Sequence, residues 1–171
     1  MTNIIIAYDK RMTLHVAPGL NADNIPRNEE DEDYQYENPY RIKYIFEKLQ
    51  LLNKSFGGCR CHVISCKEAN REIIELAHTK DHYDFVSNSS LLSESDLIDM
   101  TEESFSKRDD VYICKDTFLA SSLACGGVVE CVDIVTGDDK INGKEFNRAI
   151  AVVRPPSHHA CTEKAQGMLL F

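Results

Sequence analysis

Apolar positions first recur at helical spacing in the segment that begins at Pro39, where Ile42, Ile45, Phe46, Leu49 and Leu52 form one stripe. Proline lacks the N–H that a first helical turn leaves unsatisfied anyway, and Asn38 before it is a good cap, so a helix is predicted from there. Gly57-Gly58 ends it. A short strand is expected over residues 61–65. Two short helices are then expected within 71–88 on either side of Thr79, turning Ile73, Ile74, Leu76, Tyr83, Phe85 and Val86 inward. Residues 87–108, rich in Ser, Asp and Glu with scattered leucines, read as an exposed connection. Asp116-Thr117 caps the next helix. Residues 118–135 are apolar on almost every face, as in a buried central helix, and Gly126-Gly127 allow another segment to approach closely. Past Gly137, the apolar run 149–153 reads as a buried parallel strand.

Composition narrows the class. A chain of 171 residues, 43% of them hydrophobic, is expected to form a domain with its own core. Its seven cysteines are an odd number without regular spacing, and the apolar run 4–7 is too short for a signal peptide. Both point to a reducing compartment, where the acceptor patterns at Asn53 and Asn88 stay unmodified. No segment approaches the roughly 20 apolar residues of a membrane helix, so a soluble protein without a membrane partner is expected. Net charge of -9 and a pI near 5.1 argue against direct nucleic-acid binding, which needs a basic footprint, and favour lysine-rich partners. The acidic loop 28–37 concentrates that charge in Glu29-Glu30-Asp31-Glu32-Asp33. It steers basic tails or is simply a solvated loop, the commoner fate of such blocks.

Candidate chemistry gathers in Arg154-Pro155-Pro156-Ser157-His158-His159-Ala160, with Gly167 nine residues after His158. Adjacent histidines on a strand point to opposite faces, but on a loop shaped by a double proline both rings can aim into one cavity. Two imidazoles near neutral pKa can share general base and general acid duty. The pair follows a predicted strand, beyond whose carboxyl end open α/β sheets bind ligands. A bare His-His pair is more often surface or packing, so the flanking residues carry the assignment. Cys59, Cys61, His62 and Cys66 are poorly spaced for a structural zinc and fit small buried hydrophobes better. His78 and His82, four apart, would share a metal only on a continuous helix, and packing is the expected role.

The Arg-Pro-Pro-Ser-His-His-Ala run resembles the active-site loop of the class II, yeast-type zinc-dependent histone deacetylases. The resemblance extends along the chain in order: Tyr8-Asp9-Lys10-Arg11-Met12 with His15, Asn38-Pro39-Tyr40-Arg41, Glu75 through Tyr83, Asp109-Asp110-Val111-Tyr112 with Thr117, and Cys125-Gly126-Gly127. It implies an arginase/deacetylase-like α/β fold, a doubly wound parallel sheet, of which residues 1–171 supply the first half. It also implies hydrolysis of acetyl-lysine in histones or other proteins, with Zn2+ bound by the complete domain. By the same resemblance His159 is the general base and His158 an electrostatic or acid partner. Asp109, or its neighbour Asp110, orients the substrate backbone, Gly167 and Met168 line the lysine tunnel, and Arg41 lines an acetate channel. Implied partners are acetylated lysine-rich tails and co-repressor or paralogue subunits. The implied setting is chromatin regulation and transcriptional repression, in the nucleus and/or cytoplasm.

The departures matter as much. Ser157 stands where the family has glycine, and Met168-Leu169 where it has Phe-Cys. The family's Asp-x-His ligand pair, its third aspartate ligand and its oxyanion tyrosine would all lie beyond Phe171, and no Asp-x-His occurs in the chain. The expectation is therefore that this polypeptide alone holds no metal and is inactive, and its apolar end at Leu169-Leu170-Phe171 reads as a cut. Two readings follow: the N-terminal part of a deacetylase, or a catalytically dead remnant acting as a protein-binding module.

Overall fold

The computed structural model describes residues 3–20, 38–55, 57, 61–106, 111–137, 145–155 and 161–164, the side chains of residues 105 and 106 excepted. Its centre is a three-stranded parallel sheet in the order β2-β1-β3, formed by β1 (Asn3–Ala7), β2 (Cys61–Ile64) and β3 (Phe146–Ala151). Ile4 pairs with Cys61 on one side, and Ala7 with Ala151 on the other. As the middle strand, β1 is covered from both faces, which is why Ile5, Ile6 and Ala7 form a continuous apolar run that is almost inaccessible. Parallel neighbours need crossovers: α1 (Tyr40–Ser55) lies between β1 and β2, and α2 to α5 lie between β2 and β3. This agrees with an incomplete doubly wound α/β fold.

Helix α1 begins where predicted, with Asn38 Oδ1 accepting the Tyr40 N–H at 3.0 Å. Its apolar stripe divides. Ile42 is buried, and Phe46 and Leu49 pack on the core, Phe46 stacking on Tyr8 at 3.9 Å between centroids. Ile45 and Leu52, both on one flank of the stripe, are 51% and 43% exposed. At the other end of α1, Asn53 Oδ1 accepts the Cys61 N–H at 3.1 Å and ties the helix to β2.

The two short helices around Thr79 are α2 (Arg71–Ile74) and α3 (Lys80–Asn88), with Thr79 Oγ1 capping the second through the His82 N–H. Ile74 and Val86 are buried as expected, but Leu76 is 87% exposed and Phe85 46% exposed. The segment 87–108 differs from an exposed connection by holding a 3-10 turn (Ser89–Leu91) and a 13-residue helix, α4 (Glu94–Ser106). Its start is a reciprocal cap: Ser93 Oγ accepts the Asp96 N–H at 3.2 Å, and Asp96 Oδ2 accepts the Ser93 N–H at 3.3 Å. Leu97 and Thr101 face inward while most of α4 is exposed. The result is a second small core of Ala69, Ile74, Val86, Leu97, Val111 and Ile113.

Helix α5 (Thr117–Thr136) packs on β3, β1 and the 3-10 helix Lys10–Leu14. Asp116 stands at its N-cap without a side-chain cap bond; Thr117 Oγ1 instead accepts the Cys114 N–H at 2.7 Å. By length and composition α5 could cross a membrane, contrary to the expectation that no segment approaches such a span. Its buried face is mostly small residues, Ala120, Ser121, Ser122, Ala124, Gly126 and Gly127, around the fully buried Leu123. A Cβ at Gly126 would lie 1.9 Å from the Lys67 carbonyl oxygen, so the close approach expected of this glycine pair is real. Strand β3 is parallel as predicted, but it is only partly covered, with Ile150 38% exposed.

Candidate active site

Chain leaving β3 stays beside the carboxyl end of β1, where the Val152 N–H donates to the Ala7 carbonyl at 2.9 Å. Two residues later Arg154 is 1% exposed. A buried cation is costly unless its donors are used, and the planar guanidinium is suited to reach several acceptors at once. Nη1 donates to the carbonyls of Met12, at 2.9 Å, and His15, while Nη2 donates to the Tyr112 hydroxyl at 2.9 Å. Met12 and His15 belong to the turn after β1, and Tyr112 to the segment between α4 and α5. One side chain thus joins three parts of the chain, four residues before His158 in sequence.

His15 completes this cluster. It is buried, stacks on Tyr112 with centroids 4.5 Å apart, and places Nδ1 3.1 Å from Thr117 Oγ1 and 3.5 Å from Cys114 Sγ. Burial, reinforced by the Arg154 charge, holds its pKa well below the usual imidazole value, so His15 is neutral beside a permanent cation. At the start of the same turn, Asp9 accepts from Arg11 Nε at 3.0 Å and Nη2 at 2.8 Å. These bonds lower the Asp9 pKa below the ordinary carboxylate value.

Of the residues singled out from sequence, His158, His159, Asp109, Asp110, Gly167 and Met168 lie outside the described residues. Arg41 is in the first turn of α1, exposed, with its backbone N–H on the Asn38 carbonyl at 3.2 Å. His78 and His82 have ring centroids 5.1 Å apart, but the Thr79 cap lies between them, so they do not share a continuous helix. His78 Nδ1 lies 3.0 Å from the Cys161 carbonyl oxygen, and the Thr79 N–H donates to the Thr162 carbonyl at 2.9 Å. These contacts fasten residues 161–164, just past the histidine pair, to the start of α3. In the sequence, Thr117 stood only as part of a helix cap, and Arg154, His15 and Tyr112 only as members of motifs; nothing joined the four in one buried cluster. The available signal was a lone arginine directly after an apolar strand, a charge that must be matched locally or buried with acceptors.

A cavity of about 570 Å³ opens between α3, α4 and residues 161–164. Another, of about 480 Å³, lies between α1 and the turn after β1, against Tyr8, Lys43 and Phe46. Arg41 lines neither. Among the described residues no group of three or more His, Cys, Asp or Glu side chains is placed to hold a metal ion. Cys66 is buried against Gly127, and burial pushes its pKa up to about 12, so it is a neutral thiol rather than a metal-binding thiolate. The described residues therefore do not fit a catalytic zinc.

Residues 35–171 match the histone deacetylase domain family. The chain is 31% identical to histone deacetylase HDA1 of Candida albicans, over 97% of this chain and 19% of that protein. It is 33% identical to HDA1 of Saccharomyces cerevisiae, over 77% and 18% respectively. It is 32% identical to histone deacetylase 5 of Arabidopsis thaliana, over 97% and 22%. The chain thus spans about a fifth of the length of these relatives. Its fold is similar to the crystal structure of the HDA15 HD domain, with a TM-score of 0.69 at 24% identity, covering 99% of this chain and 40% of that one. With an incomplete parallel α/β sheet, and the His158-His159 pair following β3 in sequence, the chain belongs to the histone deacetylase family, in similarity to its class II, yeast-type members.

Proposed function

We propose that this chain is the part of a zinc-dependent acetyl-lysine deacetylase that carries the proton-transfer histidines, and that alone it neither holds the metal nor turns over substrate. The observation that carries the reading is Arg154, buried at the carboxyl end of β3 four residues before His158, within a stretch matched to the deacetylase family. His159 takes a proton from the attacking water as general base, and His158 is the electrostatic or acid partner toward the leaving lysine amine. Asp109 accepts substrate backbone N–H groups, Gly167 and Met168 flank the lysine stem, and Arg41 serves acetate exit. Zinc would supply Lewis-acid chemistry in the complete domain, but the described residues give it no ligand set. Acetylated lysine-rich tails are the substrates and co-repressor or paralogue subunits the partners, in the nucleus and/or cytoplasm.

Ser157 and Met168, which depart from the family's glycine and phenylalanine, favour a second reading: an inactive remnant that binds proteins. Two measurements separate the readings. Purified 171-residue chain is assayed on an acetyl-lysine peptide with and without added zinc, and the natural product is sized in cells with an antibody against residues 28–60. The expected results are no zinc-dependent turnover and a cellular species much larger than 19.4 kDa. A stable species at 19.4 kDa favours the remnant, and robust zinc-dependent turnover by the pure chain overturns the claim of inactivity.

A further inference from the structure

We draw no further inference here: the strongest candidate, the outward surface of α1 on which Tyr44, Ile45, Leu51 and Leu52 stand exposed around Lys48, is an unpartnered apolar face, and nothing among the described residues shows what covers it.

Discussion

Gly126→Ala should destabilise this protein even though alanine is the better helix former. The added Cβ would sit 1.9 Å from the Lys67 carbonyl oxygen and 2.7 Å from the Ala69 nitrogen. Ordinary carbon–oxygen contacts are about 3.3 Å or longer, so the overlap exceeds about 1 Å. Both obstacles are backbone, which cannot rotate out of the way as a side chain can. Helix α5 and the 67–69 segment must therefore separate, and that strains the Ala69 N–H bond to the Ser122 carbonyl, 2.9 Å in the native structure. Overpacking of this kind costs up to about 3 kcal/mol. Loss of the hydrogen bond adds about 1 kcal/mol, while the propensity of alanine over glycine returns about 1 kcal/mol. The net expectation is a loss of about 3 kcal/mol, read as a lower urea midpoint at an unchanged m-value. Gly127→Ala meets the Cys66 side chain at 2.6 Å rather than backbone, so its loss should be smaller. A Gly126→Ala midpoint equal to or above wild type would refute the close-approach argument.

Two further perturbations probe the buried cluster. Arg154→Met removes the donors to Met12 O, His15 O and Tyr112 Oη, and since each buried acceptor left unpaired costs about 1–3 kcal/mol, the loss should be at least about 3 kcal/mol in denaturant melts. Arg154→Lys should recover only part of it, because one ammonium cannot reproduce the fork; full recovery would show that charge alone matters. His15, with its folded pKa lowered by burial, should make stability fall with acid. The unfolded chain takes up a proton at this site below about pH 6.5 while the folded one does not, so the contribution is complete above that value and declines below it. His15→Gln should flatten that part of a stability-against-pH curve, and an unchanged slope in this variant would count against the assignment.

Local signals in the sequence determined a good deal. Asn38 and Thr79 cap helices because their side chains reach backbone N–H groups two or three residues on, a contact that needs nothing from the rest of the fold. The Ser93–Asp96 reciprocal cap was equally readable and would have placed α4, but the polar composition of 87–108 outweighed it. The glycine pair in an otherwise apolar helix pointed to a close approach that Gly126 makes. The order of motifs around Arg-Pro-Pro-Ser-His-His carried the family without any coordinates.

Tertiary structure decided which of these features meet. Helical period defines a face but not how much of it a neighbour covers, so Ile42 is buried while Ile45, on the same stripe, is half exposed, and Leu76 and Phe85 remain in water. Arg154 is the clearest case. Its position directly after an apolar run is only a weak signal of burial, because the carbonyls that receive its guanidinium belong to Met12 and His15, 142 and 139 residues away. A lone arginine is exposed by default, and only chain closure that brings three acceptors to one point makes burying its charge tolerable. The sequence by itself thus determined the family, the caps and the helix that must be approached closely. The buried cluster around Arg154 and the cavity between α3 and α4 exist only because distant segments are held together.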